Sequence, residues 1–217
     1  MSITSILFDV GGVIVAPLQP EAVWGQRDEL AQRLGYSSGR EMWLDFYESD
    51  VWQAAKTGDI VHVEMWDALL GPHGITSREE QARFVAALHA GEGLDPAMET
   101  LIAALHGRYR LGILSNWDDQ LEAILEEELG INHYFDVILN SHHIGVAKPD
   151  EAAFRLALER LGARPDQLLF IDDLERNTNA AAALGIHTHT FTDLPTLVAN
   201  LQRRGLLDGD WRLESSD

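Results

Sequence analysis

The sequence predicts an α/β fold: a three-layer, Rossmann-like parallel sheet with a small helical bundle inserted after its first strand. Short apolar runs recur along the chain, and each stops at glycine or at polar residues. Helical patterns separate the later runs, and strand–helix–strand alternation at these lengths argues a parallel sheet covered on both faces. One long early interval carries helical patterns and no convincing strand run.

Ile3 to Asp9 reads as a buried strand, because its apolar run leads directly into glycines. From Pro17 to Asp95, helical stretches lie near Glu21–Leu34, Arg40–Tyr47, Val61–Leu70 and Ser77–Leu88, punctuated by Gly35, Gly58, Gly71 and Gly91. Asp95 followed by Pro96 reads as an N-cap with proline in the first turn, opening a helix to His106. Strands follow at Arg110–Ser115, Asp136–Asn140, Leu168–Ile171 and Ile186–Phe191. Helices are expected at Gln120–Leu129, Glu151–Leu161, Asn177–Leu184 (ended by Gly185) and Leu194–Leu201. Right-handed crossovers should join the strands. Residues 1–16 and 96–205 then form the core, 17–95 a helical insertion, and 206–217 a tail that is largely polar apart from Trp211 and Leu213.

Composition narrows the function. The 217-residue chain is 46% hydrophobic, enough for a sizeable core. Its 16 Lys plus Arg face 35 Asp plus Glu, a net charge of −19 that repels nucleic acid and anionic membrane. A phosphate site on such a chain needs local positive charge, a metal, or both. There is no cysteine, which excludes disulfide and thiolate chemistry. The N-terminus shows no basic leader, and no apolar run approaches the roughly 20 residues of a membrane span. The expectation is a cytoplasmic protein with a small-molecule partner. Monomer and homodimer both fit, because the cap aromatics suit internal packing as well as an interface.

Ligands of parallel sheets sit beyond the carboxyl ends of the strands. Asp9, Ser115 with Asn116, Ser141 with His142 and His143, and Asp172 with Asp173 all fall at such ends, and Lys148 lies in the loop after the third strand. Asp9, Asp172 and Asp173 concentrate like charge, which a hard divalent cation resolves; oxygen-only ligands point to magnesium. The plainer reading of Asp173 is helix capping. Lys148 offsets more of the charge, and Ser115 with the following turn offers donors to phosphoryl oxygens.

This set resembles the haloacid dehalogenase-like hydrolase superfamily, known mainly for magnesium-dependent phosphatases. The resemblance rests on Phe8-Asp9-Val10-Gly11-Gly12-Val13-Ile14, Leu114-Ser115-Asn116, Lys148-Pro149-Asp150, and Phe170-Ile171-Asp172-Asp173 with Asn177 beyond. It covers the chain to about Leu201, implies a capped subfamily I member, and makes the inserted interval a cap over the active site. By resemblance, Asp9 forms an aspartyl-phosphate, and magnesium is held by Asp9, the Gly11 carbonyl, Asp172 and Asp173. Ser115 and the Asn116 N–H grip the phosphoryl group, while Lys148 neutralises and orients.

Gly11 departs from the pattern. The superfamily's phosphatases carry a second aspartate there, which protonates the leaving oxygen and later activates water. Glycine keeps the carbonyl and loses the proton carrier. Three routes remain: slow hydrolysis with a good leaving group, a substitute acid from the cap or from His142 or His143, or a different reaction. The glycine is closest to the first-motif pattern of the glucose-1-phosphatase-like branch, whose anomeric phosphate leaves readily. Alternatives are a 2-haloacid dehalogenase-type hydrolase, against which the retained Asp172-Asp173 pair argues, and a catalytically impaired binding protein.

Trp24, Trp43, Trp52, Trp66, Phe46 and Tyr47 are expected to fill the cap interior; the alternative reading is that one or two face the main site and shape a substrate pocket. Thr57-Gly58-Asp59 reads as a turn between cap helices. His62, His73, His89 and His106 scatter in or near the cap with no ligand spacing.

Overall fold

In the computed structural model, which describes residues 2–212, β1 (Ser5–Phe8) leads into a short strand β2 (Val15–Pro17). Helices α1 (Pro20–Leu34), α2 (Gly39–Glu48), α3 (Asp50–Lys56), α4 (His62–Leu70) and α5 (Arg78–Leu88) follow, and β3 (Glu92–Leu94) closes the insertion. The chain continues through α6 (Pro96–Leu105), β4 (Arg110–Ser115), a single turn α7 (Leu121–Ala123), β5 (Val137–Asn140) and α8 (Ser141–Ile144). It ends with α9 (Glu151–Leu161), β6 (Leu168–Asp172), α10 (Glu175–Ala183), β7 (His187–Thr190) and α11 (Leu194–Arg203).

The 5-stranded core sheet runs β5-β4-β1-β6-β7, with every pairing parallel. The chain lays β4 and β5 on one side of β1, then returns to lay β6 and β7 on the other. The direction of winding therefore reverses at β1, and the crevice beyond its carboxyl end is the natural ligand position.

Alternation along the strands explains the layers. Ile6 and Phe8 point into a core with Met98 and Leu101 of α6, Leu121, and Leu197 and Leu201 of α11. Leu7 points the other way, to Phe154 and Ala157 of α9 and Ala181 of α10. Phe154 meets Phe170 edge-on at 5.3 Å. Burying such a ring stabilises the fold by about 1.5–3 kcal/mol.

The insertion has its own apolar cluster, built from Met42, Phe46, Met65, Trp66, Leu70, Phe84 and Leu88. Serine caps start its helices: Ser38, Ser49 and Ser77 accept from the backbone N–H groups of Glu41, Trp52 and Glu80.

Several expectations are corrected. β2 and β3 pair antiparallel, Val15 opposite Leu94, so the insertion does contain a strand. A run of 3 residues is too short for alternation to register in sequence. Helix α3 was not expected, and the helix expected at Gln120–Leu129 is one α turn followed by a π-helical stretch, Ile124–Glu128. The tail begins later than residue 206: Leu206 and Leu207 are buried in the main core, and the Tyr109 hydroxyl donates to the Leu206 carbonyl at 3.0 Å. Two adjacent leucines gain more from the core than from water. The tail expectation at Leu213 lies outside the described residues. Among the described residues, no helix is long and apolar enough to cross a membrane.

Candidate active site

Neighbouring strands bring the polar ends together. Phe8 of β1 is in register with Ile113 of β4 on one side and Ile171 of β6 on the other. Asp172 therefore emerges level with Asp9 on one neighbouring strand, and Ser115 emerges one residue further along on the other, each strand about 4.8 Å from β1. The Asp9 N–H donates to the Ile171 carbonyl at 2.9 Å, which carries the ladder to the edge of the site.

A single ammonium joins the carboxylates. Lys148 Nζ lies 2.8 Å from Asp9 Oδ2 and 2.7 Å from Asp172 Oδ2. The other Asp9 oxygen accepts from Ser115 Oγ at 3.0 Å and from the Val10 N–H at 2.7 Å. Asp172 is held by Asn177 Nδ2, at 2.9 Å and 3.1 Å from its two oxygens, and by the Leu174 N–H at 2.9 Å. Asn116 acts on the lysine from behind. Its amide donates to the Lys148 carbonyl at 2.8 Å, and its oxygen accepts the Lys148 N–H at 2.9 Å. The Lys148–Pro149 bond in this loop is cis.

Burial sets the electrostatics. It pushes the Asp9 carboxyl up to about 7; Lys148 pulls the other way, and the charges of Asp172 and Asp173 push further up. Burial and the charge of Asp172 also hold Asp173 above the ordinary carboxylate value. Burial opposes the Lys148 charge, yet Asp9 and Asp172 outweigh it and hold the lysine above its ordinary value. One cation thus serves a group in which Asp9, Asp172 and Asp173 each place a ligand oxygen within 4.8 Å of the others. An all-oxygen donor set with surplus negative charge fits a hard divalent ion such as magnesium.

The paired glycines differ. Gly12 has φ +77, and a Cβ there would fall 2.6 Å from Asp173 Oδ2, so the turn needs glycine. At Gly11 a Cβ would meet only Trp117 Cζ3, at an ordinary 3.6 Å. The backbone therefore leaves room for a side chain where the acid is missing. Trp117 borders that space and escaped the sequence reading, which looked for aromatic residues only in the insertion.

The insertion meets the core around the turn between α3 and α4. A Cβ on Gly58 would strike the His142 carbonyl at 2.4 Å, and His142 Nδ1 lies 2.7 Å from the Ala55 carbonyl. His62 binds twice, its Nδ1 2.6 Å from Asp118 Oδ2 and its N–H 2.6 Å from Asp119 Oδ1. Sequence reading missed this clasp, since its partners are 56 and 57 positions apart and share no pattern. His143 pairs with Glu122 on the exposed side at 2.9 Å. Within the insertion, Arg27 lies buried over the Trp43 ring at 3.8 Å and pairs with Glu92 at 2.6 Å. Tyr47 stacks 4.3 Å from Trp43, and its hydroxyl lies 3.2 Å from His89 Nε2.

A family model described as haloacid dehalogenase-like hydrolase matches residues 3–185. Fructose-1-phosphate phosphatase of Escherichia coli strain K12 is 25% identical over 181 residues, 83% of this chain and 92% of the relative. A HAD family enzyme of Bacteroides thetaiotaomicron, solved with magnesium and inorganic phosphate, superposes with TM-score 0.71 at 24% identity, over 90% of this chain and 99% of the other. L-2-haloacid dehalogenase of Xanthobacter autotrophicus superposes with TM-score 0.63 at 20% identity, over 94% and 83%. Both structural likenesses establish the fold alone. Since a magnesium-bound enzyme and a dehalogenase share it, the choice of chemistry rests on this chain's own residues.

Proposed function

The chain belongs to the haloacid dehalogenase-like hydrolases, and from that premise we propose that it is a magnesium-dependent phosphomonoester hydrolase acting on a small phosphorylated metabolite. One observation carries the reading: Asp9, Asp172 and Asp173 converge within 4.8 Å around a single lysine. A halide needs no such carboxylate group to depart, whereas phosphoryl transfer places negative charge that a metal and a lysine offset. The same group supports retained catalysis over a purely binding role.

In this reading an Asp9 carboxylate oxygen attacks phosphorus, the P–O bond to the leaving oxygen breaks, and an aspartyl-phosphate forms. Water then cleaves that acyl phosphate and returns the free carboxylate. Ser115 orients the nucleophile through its 3.0 Å bond and, with the Asn116 N–H, receives phosphoryl oxygens. Lys148 sits between Asp9 and Asp172 and neutralises charge on the transferring group. Asn177 and the Leu174 N–H fix the Asp172 rotamer. The Asp9, Asp172 and Asp173 side chains and the Gly11 carbonyl would hold magnesium, with Asp173 direct or through water. When bound, it supplies charge neutralisation at the phosphoryl oxygens.

The proton is the missing part. Gly11 has no side chain, its neighbour Trp117 is no acid, and His142 Nδ1 is engaged by the Ala55 carbonyl. In this reading the leaving oxygen departs with its own acidity or a proton from water. This supports the glucose-1-phosphatase-like branch and an anomeric phosphate as the scissile group. Residues 17–95 act as the cap that encloses the substrate and 1–16 with 96–205 as the catalytic core, in a cytoplasmic setting.

A magnesium-dependent screen of sugar phosphates and an aryl phosphate tests the reading. Turnover should require magnesium, and glucose 1-phosphate should exceed glucose 6-phosphate. Turnover confined to chloro- or fluoro-acids and indifferent to chelation would sink it.

A further inference from the structure

The loops that follow β1 and β4 approach each other beside the nucleophile, and the approach is apolar. A Cβ at Gly11 would lie 3.6 Å from Trp117 Cζ3 and, among the described residues, would meet nothing else within 4 Å beyond its own chain neighbours. Gly11 stands two residues after Asp9, and Trp117 two residues after Ser115. The strand ends that carry the nucleophile and its serine partner thus run straight into this pair. Gly11 and Trp117 are each partly exposed, whereas Asp9 and Ser115 are buried. The space between the glycine and the indole therefore reaches solvent.

The indole sits on a firmly held stretch of chain. The Trp117 N–H donates to Ser141 Oγ at 3.1 Å. On one side of it, Asn116 bonds the Lys148 main chain, and on the other, Asn140 Nδ2 donates to the Asp118 carbonyl at 2.7 Å. Trp117 also packs against the main core, and the residues just beyond it, Asp118 and Asp119, receive His62 of the insertion. A side chain fixed in this way recognises a ligand with little ordering cost. The indole N–H has no hydrogen-bond partner among the described residues and is not one of the buried unpaired groups, so it is free for a ligand. Trp117 thus offers an apolar surface with a polar handle. A pyranose matches both, with C–H bonds over its faces and hydroxyls around its rim.

We propose that Trp117 and the open Gly11 position form the platform for the leaving group, and that the preferred substrate carries a pyranose ring directly on the scissile oxygen. The inference rests on the phosphatase reading and names the part of the substrate that this site recognises. Glycine puts no side chain into the space that borders the indole, so a ring can occupy it. The position that lacks an acid then serves as room for the group that departs. A 6-phosphate holds its ring one methylene further from the scissile oxygen and misses the platform.

Two substrates whose leaving groups are less basic than a simple alkoxide isolate the ring: glucose 1-phosphate carries one, and acetyl phosphate does not. Trp117→Leu should lower kcat/KM for glucose 1-phosphate relative to acetyl phosphate roughly tenfold, mainly through KM, the upper end of an aromatic contact. Trp117→Phe keeps a ring and should restore most of that ratio. Gly11→Ala places a methyl group at an ordinary 3.6 Å from Cζ3, fills the space and should lower the ratio roughly fivefold. A ratio indifferent to Trp117→Leu or to Gly11→Ala, or lowered as far by Trp117→Phe as by Trp117→Leu, overturns the proposal. Calorimetry on Asp9→Asn with magnesium reads binding without turnover. Glucose 1-phosphate should bind roughly tenfold more tightly than methyl phosphate, and adding Gly11→Ala should close most of the gap; equal affinities for the two esters overturn the platform, even if Trp117→Leu does not fold. If no phosphate ester is hydrolysed at all, the phosphatase reading fails, and this affinity gap alone decides whether the platform exists.

Discussion

The catalytic edge of the sheet and the seam with the helical insertion hold their polar groups in opposite ways. At the sheet edge, Asp9, Ser115, Lys148, Asp172 and Asn177 are nearly all withdrawn from water and bonded to one another at 2.7–3.1 Å. Asp9, Ser115, Lys148 and Asp172 are fixed by strand ends or the loop beside them, and Asn177 by the start of α10. At the seam, contacts gather around the α3–α4 turn and several involve backbone atoms: Gly58 against the His142 carbonyl, His142 against the Ala55 carbonyl, the His62 N–H on Asp119. The first region is preorganised for chemistry before any substrate arrives. The second is a small clasp between otherwise separate apolar clusters.

Asp9→Asn should break the comparison most severely. It keeps the fold and removes the nucleophile, so magnesium-dependent hydrolysis of an aryl phosphate should fall by about 10³-fold or more. Persistent activity would refute the aspartyl intermediate. Next is Lys148→Met, which leaves Asp9 and Asp172 buried without their shared cation. Denaturant unfolding without metal should show a loss of roughly 3–5 kcal/mol, partly restored by magnesium. An unchanged midpoint would mean that the carboxylates are neutral in the folded protein.

The two regions were unequally legible in the sequence. The core was readable because apolar runs such as Leu168–Ile171 end abruptly in acids, and hydrophobicity followed by charge at a strand end is a local signal. Arg110–Ser115 and Glu151–Leu161 fall on their expected residues for the same reason. The seam was not readable. His62 and Asp118 are joined only by the docking of two elements, and nothing near either residue announces the other. The β2–β3 pairing is too short to show a period, and the π-helical turn after Ala123 keeps helical spacing of its leucines. Asn116 was assigned to phosphate through its backbone N–H; that its side chain bonds the Lys148 main chain is a detail only the third dimension supplies.

Gly11→Asp sharpens the catalytic side. A Cβ fits at 3.6 Å from Trp117, so the variant should fold. It returns a proton carrier, and hydrolysis of simple alkyl phosphates, whose leaving groups are poor, should rise by about 10²-fold, with a smaller gain for aryl phosphate. An equal gain for both leaving groups would show that protonation is not what the glycine lacks. Gly58→Ala probes the seam instead. Its φ of +86 and the 2.4 Å approach to the His142 carbonyl admit no Cβ without movement. The expected loss is roughly 1–3 kcal/mol, with KM for sugar phosphates rising more than kcat falls. A change in kcat alone would place this turn in the chemistry.

The smallest effect is a pH dependence confined to the catalytic edge. The folded protein binds a proton at Asp9 up to about pH 7, whereas the unfolded chain releases it near the ordinary 3.8. Between those values the native state holds more protons, so stability without metal falls as pH rises from about 4 to about 7. Asp173, also displaced upward, adds a slope of the same sign. Lys148 does not enter this window, because its upward shift affects stability only above the ordinary lysine range. Magnesium binds the ionised carboxylates and competes with those protons, so its stabilisation should grow through the same interval. Melting temperatures at pH 5 and pH 8, with and without magnesium, should show the metal-induced increase larger at pH 8 by roughly 4 °C. In Asp9→Asn the proton-linked part of that difference should shrink, leaving only the share owed to Asp173. An identical difference in the variant would move the linkage away from the nucleophile and onto the rest of the carboxylate group.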